Sequence, residues 1–323
     1  MPFGALPQLV IEFDGVWQLV ESQTLATMGG FSLLAEPVTG LAGYSPQENA
    51  RIATLDTSAR QRVEIQLDSR QLALDGVTTR VSETDLITEL ADKVRTEYTV
   101  PGELDGYLAR VLLYLQRDAG HTLTALVRHQ LELARALSAD IAIRVASARK
   151  KGFSEALALD MFSEPTGESG FRHEFRFHPD RDPARPPYYE NGSVRFKKHY
   201  YPKIHDLKDG GEEWECAVAI EGLDEVSKWV RNVPQDRVSS FWLPTSSDYY
   251  YPDFVCELKD ERMLVVEYKG GQLLGGIDSE EKARIGERWA ATSRNRRCVF
   301  VQVSKADPHK RSLEKQLKDA IQG

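Results

Sequence analysis

Two carboxylates and an ammonium recur at strand spacing between Tyr251 and Gly270. β-rich runs from Asp253 to Leu258 and from Met263 to Lys269 flank the polar group Lys259-Asp260-Glu261-Arg262, which predicts a β-hairpin with a short turn. Strand side chains alternate, so Asp253, Val255 and Glu257 share one face and Val265, Glu267 and Lys269 share one face of the partner. In antiparallel register Asp253, Glu267 and Lys269 converge. The other face, Phe254, Cys256, Leu258, Leu264, Val266 and Tyr268, is nearly all apolar and suits a core.

Charges on a half-buried face need compensation, because removing them unpaired from water is costly. A divalent cation supplies it. Magnesium takes oxygen ligands, is held by one or two carboxylates, and keeps waters that a phosphate can replace. Such an ion polarises a phosphoryl oxygen and lowers the pKa of bound water, while a neighbouring lysine orients or deprotonates the nucleophile. The chemistry implied is phosphodiester hydrolysis with Mg²⁺, for which Mn²⁺ substitutes. The competing explanation is a structural ion-pair cluster without catalysis.

Several elements must position these residues. Glu212 to Val230 reads as a helix or a broken helix pair, with Trp214, Ala217, Val218 and Ile220 on its apolar face and Glu215 at the margin. Asp278 is placed to cap a helix running to about Ser293, packed through Ala283, Ile285, Trp289 and Ala290. Cys298 to Val303 forms a short apolar strand, and Ser312 to Ile321 a last helix. A strand-helix-strand crossover sets the last strand parallel to a hairpin strand. Lys282 and the Gly270-Gly271 turn fall near the strand end, where a phosphate would lie; Lys282 equally suits a solvent-facing helix position.

Upstream, residues to about Gly76 read as mainly β, with Leu9 to Phe13 and Arg62 to Leu67 as strands and Thr24 to Ser45 as loops and short strands. Ser82 caps a helix whose Leu86, Leu90 and Val94 form a stripe. After Pro101-Gly102 helical periodicity dominates: Tyr107, Leu108, Val111, Leu112 and Leu115 make one stripe, Leu123, Leu126, Val127 and Leu131 another, and Leu133 to Lys151 a third helix. His121 and His129 lie eight apart without a carboxylate at ligand spacing and read as ordinary surface or core residues. Ser163 to Asp209 is punctuated by Pro and Gly, which places a domain boundary there: a β-rich then helical connector over 1–162, and a second domain over 163–323 that begins with linker and accessory strands over 163–209. Within that segment His173 to His178 alternates as a strand, with Glu174, Arg176 and His178 on one face. His173 and His178 then face opposite ways and do not make a metal pair.

The chain of 323 residues is long enough for two cores, and its 41% hydrophobic and 28% charged residues are those of a soluble globular protein. It has no apolar run of membrane-spanning length and no secretory signal pattern, and Cys216, Cys256 and Cys298 form no CxxC pair. A cytoplasmic protein with reduced cysteines and no membrane partner is expected. A net charge of -8 argues against a general nucleic-acid coat, but local clusters remain. One holds Arg195, Lys197, Lys198, His199 and Lys203; the other holds Arg294, Arg296, Arg297, Lys305, Lys310, Arg311, Lys315 and Lys318. Such groups contact phosphates beside a nuclease site, or are solvated faces. Lys198-His199-Tyr200-Tyr201-Pro202 interleaves cations with aromatics, a pattern that serves base stacking as well as it serves a packed strand edge.

Pro252-Asp253 followed by Glu267-Tyr268-Lys269 resembles the PD-(D/E)xK nuclease motif. With Val226 to Asn232, Phe241 to Pro244, Tyr250 to Phe254 and Val265 to Gly270, it is similar to the C-terminal nuclease domain of type III restriction enzyme R subunits and related DEAD/DEAH helicase-nucleases. The likeness is densest from about Lys197 to Val303. It implies an α+β chain with a restriction-endonuclease-like αβββαβ core behind the connector domain. It also implies a Mg²⁺-dependent DNA endonuclease of a restriction or phage-defence system. Asp253 and Glu267 would bind metal, with the main-chain carbonyl of Tyr268 as a further ligand, and Lys269 would orient the attacking water. The match of Glu213 to Ala219 carries over Glu215 as the first-helix glutamate, with Glu212, Glu213 and Glu221 as competitors. No G-x-x-x-x-G-K-[ST] phosphate loop occurs, so a helicase or ATPase motor is expected in cis, in a longer protein, or in trans. An RNA nuclease and a non-catalytic DNA-binding or assembly module are the alternatives.

Overall fold

The computed structural model describes residues 2–13, 15–35, 38–45, 52–56, 62–66, 81–163, 171–176, 187–189, 192–270 and 277–323; at 52–56, 62–66 and 277–278 it places the backbone alone. In chain order the elements are β1 (Leu6–Pro7), β2 (Val10–Phe13), β3 (Val16–Leu19), α1 (Ser22–Met28), β4 (Ile52–Asp56), β5 (Arg62–Gln66), α2 (Glu83–Val94), α3 (Pro101–Arg117), α4 (Leu123–Arg128) and α5 (Gln130–Ala158). There follow β6 (Arg172–His173), α6 (Glu212–Gly222), β7 (Val226–Arg231), β8 (Leu243–Pro244), β9 (Tyr249–Tyr250), β10 (Phe254–Leu258), β11 (Met263–Tyr268), α7 (Ile277–Thr292), β12 (Cys298–Val303) and α8 (Leu313–Gln322). The architecture is α+β.

By internal contacts the chain divides into Gln23–Gly152 and a second unit made of Met1–Ser22 with Phe153–Gly323. This differs from a boundary at 163, since residues 1–22 and 153–162 join the C-terminal unit. Pairing explains the difference. β1 lies antiparallel to β6, Val10 bridges Ser163, and the Trp289 indole donates to the Pro7 carbonyl at 2.8 Å. Glu257 on β10 accepts the Gly4 N–H at 2.6 Å, which holds the N-terminal segment against the hairpin. Pro165, Gly167, Gly170, Pro179, Pro183 and Pro186, which suggested the boundary, lie outside the described residues, as do His178, Gly271 and the Asp278 side chain.

The unit Gln23–Gly152 is mainly helical. Ser82 caps α2 by accepting from the Asp85 N–H, and Asp85 returns the bond to the Ser82 N–H, a reciprocal capping box. The buried stripes Leu86, Leu90, Val94 and Tyr107, Leu108, Val111, Leu112, Leu115 meet in one core, as their spacing predicts. The third stripe is broken instead. α4 stops at His129 (φ -102, ψ 24), α5 restarts at Gln130, and Leu131 is 38% exposed. The segment read as loops and strands from Thr24 contains α1. This helix is too short for periodicity to declare itself and depends on packing: a Cβ on Gly29 would lie 1.8 Å from the Ala148 carbonyl oxygen, so only glycine permits that approach.

In the other unit a four-stranded sheet runs in the order β12-β11-β10-β7. β10 and β11 are the predicted hairpin, paired Phe254↔Val266, Val255↔Val265 and Cys256↔Leu264. The predicted apolar face is buried: Phe254, Cys256, Leu258, Leu264, Val266 and Tyr268 pack with Cys216, Ala217 and Ile220 of α6 and Leu317 and Ile321 of α8. α7 makes the crossover that sets β12 parallel to β11. It approaches closely through Gly286, where a Cβ would lie 2.4 Å from the Phe300 ring. One helical reading needs correction. α6 ends at Gly222, and Val226 onward is β7, antiparallel to β10. The alternation of β7 is obscured because Trp229, Val230 and Arg231 are all buried. The strand expected from His173 to His178 is a two-residue bridge, although exposure still alternates from His173 to Arg176. All three cysteines are free and buried, and no described helix is long and apolar enough to cross a membrane.

If Trp289 ties the N-terminal segment to α7, Trp289→Ala lowers the stability of this unit by about 3–5 kcal/mol through the lost ring volume. Trp289→Phe, which loses mainly the bond to Pro7, costs about 1–3 kcal/mol. Urea unfolding followed on this unit checks both, and a Trp289→Phe variant as stable as wild type would remove the anchoring role.

Candidate active site

The Phe254↔Val266 register sets Asp253, the residue before β10, across from Glu267. Hydrogen bonds from three residues fix Asp253. Its carbonyl accepts from the Asn232 N–H at 3.0 Å, Oδ2 accepts from the Tyr268 N–H at 2.8 Å, and Oδ1 accepts from the Arg231 guanidinium at 2.9 Å. Glu267 is held in the parallel pairing with Gln302, and the Lys269 N–H donates to the Val303 carbonyl at 2.8 Å, continuing the ladder past β11. Lys269 therefore follows Glu267 on the same face. From α7, Lys282 reaches toward the same place, with its Nζ 5.6 Å from the Tyr250 ring centre.

The two carboxylates repel in a setting with little water. Burial first, and then the charge of Asp253, push the Glu267 carboxyl up to about 8, while the Tyr250 hydroxyl and Lys282 pull the other way. At neutral pH Glu267 therefore keeps its proton. Glu267 Oε2 is buried without a hydrogen-bond partner among the described residues. An unsatisfied buried carboxylate oxygen beside a second carboxylate is the donor set that a hard divalent cation fits. Among the described residues no three of His, Cys, Asp and Glu group into a metal site.

Arg231, at the end of β7, is 8% exposed and joins this pair to α6. It forms ion pairs with Asp253 and with Glu213, and its guanidinium carbon lies 5.1 Å from the Phe254 ring centre. Glu213 is itself raised above the ordinary carboxylate range by burial, with Arg231 opposing and Asp253 adding to the shift. The first-helix carboxylate connected to Asp253 is accordingly Glu213. Glu215 is ion-paired with Lys305, and its charge acts on the Tyr268 hydroxyl, on the sheet face away from Glu267. Glu221 accepts from the Lys197 and Lys198 N–H groups and from the Trp229 indole.

The basic residues divide between the ends of the sheet. Arg294, Arg296 and Arg297 are exposed in the turn before β12, and Met263 N–H donates to the Arg297 carbonyl. Met263 and Glu267 are four strand residues apart, about 13 Å, so this cluster sits at the far end from the carboxylates. Lys305 follows the near end. His199 is committed internally: Nδ1 meets the Tyr201 carbonyl at 2.7 Å, Nε2 accepts from the Arg231 N–H at 3.1 Å, and burial holds its pKa down at about 4. Lys198 Nζ donates to the Leu223 carbonyl at 2.6 Å. Lys197 is exposed. Arg231 and Tyr250 were given no site role in the sequence, and Glu213 stood there only as a competitor of Glu215. For Arg231 the only signal was its place at the end of an apolar strand.

Compared with protein-family models, with curated proteins and with solved structures, the chain matches none.

Without a cation, the Glu267 carboxyl titrates above its unfolded value: folded protein keeps the proton up to about pH 8, whereas unfolded chain releases it near 4.5. Stability should then fall as pH rises between these values and level off above them. Glu267→Gln should flatten this fall and leave the protein more stable than wild type at pH 9 in EDTA. Thermal unfolding across pH checks this, and an unchanged slope would rule out Glu267 as the buried acid.

Proposed function

We propose that this chain is a Mg²⁺-dependent endonuclease that hydrolyses DNA phosphodiester bonds, built on a restriction-endonuclease-like αβββαβ core and working with a helicase or ATPase motor in restriction or phage defence. The observation that carries the reading is the facing pair Asp253 and Glu267, with Glu267 Oε2 buried and unsatisfied and Lys269 two residues on along the same face. The order α6, β7, β10, β11, α7, β12, with the last strand parallel to β11, supports the same core.

Asp253 and Glu267 would hold the cation, with the Tyr268 carbonyl as a further donor. The bound ion would polarise the phosphoryl oxygen and lower the pKa of a coordinated water. Lys269 would orient the water whose oxygen attacks phosphorus and would balance the negative charge as the P–O bond to the leaving group breaks. Lys282 and Lys305, at the same end of the sheet, would hold flanking phosphates. Arg231 fixes Asp253 from β7, and α6 brings Glu213 to the same guanidinium.

A second reading is favoured by one observation. Arg231 already neutralises Asp253 and Glu213, as a structural ion-pair cluster in a non-catalytic DNA-binding or assembly module would require. Incubating the chain with supercoiled plasmid, single-stranded DNA and RNA in Mg²⁺ or Mn²⁺ separates the two. Metal-dependent cleavage of DNA is expected, suppressed by EDTA and reduced at least about a hundredfold by Asp253→Ala and by Lys269→Ala, the scale of a lost acid-base or charge-stabilising group. Failure to bind Mn²⁺ in wild type would sink the enzyme reading, and cleavage confined to RNA would change its substrate.

A further inference from the structure

The Arg231 guanidinium stands against the carboxylate that the cation would use. Both its terminal nitrogens are engaged, while Nε is buried without a hydrogen-bond partner among the described residues. Oδ1 and the carbonyl of Asp253 accept from the same nitrogen at 2.9 and 3.1 Å, Glu213 accepts from the other, and the Phe254 ring lies beneath. The Arg231 backbone is fixed as well, because its N–H donates to His199 Nε2, whose Nδ1 is bound to the Tyr201 carbonyl. The guanidinium can leave its place only by giving up its bonds to Asp253 and Glu213. Any cation at Asp253 and Glu267 must therefore share Asp253 with a resident positive charge.

We infer that Arg231 is a built-in counter-cation of the carboxylate pair: it keeps Asp253 aimed at Glu267 when no divalent ion is bound, and weakens the hold on the ion when one is. Arg231 is a positioning residue, and the inference rests on the metal reading of this site. The guanidinium, 2.9 Å from Asp253 Oδ1, sets a positive field at that oxygen. A divalent cation competing for the same oxygens meets the same field. The charge of Arg231 thus sets how readily the site gains and loses metal, while its hydrogen bonds set the geometry.

Calorimetric titration with Mn²⁺ alone, together with thermal unfolding in EDTA and in excess Mn²⁺, tests this on wild type, Arg231→Lys, Arg231→Gln and Arg231→Met. Arg231→Gln keeps a donor for Asp253 without the charge, and Arg231→Met removes both. The neutral variants should be less stable than wild type in EDTA yet bind Mn²⁺ at least about tenfold more tightly, with a larger metal-induced rise in melting temperature. Arg231→Lys should stay within about threefold of wild-type affinity. A purely structural arginine would instead lower the melting temperature equally with and without Mn²⁺ and leave affinity unchanged or weaker. Neutral variants that fail to fold even in excess Mn²⁺ would also overturn the inference. Wild type that binds no Mn²⁺ would defeat the metal reading itself, a separate result from wild type that binds while the neutral variants bind no tighter.

Discussion

Two carboxyl groups facing each other across a hairpin, which cannot both ionise cheaply, are the constraint on which the C-terminal unit depends. Asp253 and Glu267 are brought together by backbone pairing, so their repulsion cannot be relieved by rotating one strand away. The surrounding elements answer it. β7 supplies Arg231, α7 supplies Lys282, and the Tyr268 N–H takes the remaining oxygen of Asp253. What stays unanswered is one oxygen of Glu267. A protein interior rarely leaves such an atom unsatisfied without a ligand or a proton to explain it.

The sheet places that oxygen at the ends of its strands. Asp253 lies just before its strand, and Glu267 and Lys269 lie at the end of β11, beside the end of β12. Because α7 returns the chain so that β11 and β12 run parallel, both strands end on the same side, and the residues after them gather there. The apolar face below is closed by α6 and α8, which keeps the strands rigid under the charges. The same parallelism carries Arg294 to Arg297 to the opposite end. A basic cluster close to the site in sequence is in this way kept distant from it.

Aromatic and histidine residues that suggested nucleic-acid contact serve the β7 edge first. His199 bridges to Trp229, with ring centres 4.6 Å apart, and both its ring nitrogens are engaged. Burial keeps the ring neutral, which removes it as a cation for phosphate. Its contribution is mechanical, since it secures the backbone of the arginine that secures Asp253. Lys228 on β7 stands near the Phe3 and Tyr200 rings and pairs with Glu257, so the N-terminal segment is stapled to the same edge.

Local pattern determined the hairpin, its register and the alternation that sets Asp253 and Glu267 against each other, because period two is a backbone property that survives without tertiary context. The same holds for the Ser82 cap, the stripes of α2 and α3, and the crossover to β12. Tertiary structure decided the rest. β7 is buried on both faces, so its sequence lost the alternation that would have declared it a strand and disclosed Arg231. α1 is seated by two glycines, Gly29 against the Ala148 carbonyl and Gly152 against the Leu25 carbonyl, contacts more than a hundred residues apart that no local window contains. The choice of Glu213 over Glu215 depended on how far α6 is rotated against the sheet. A helix of consecutive glutamates cannot encode that angle; only its packing on Trp229 and Phe254 sets it.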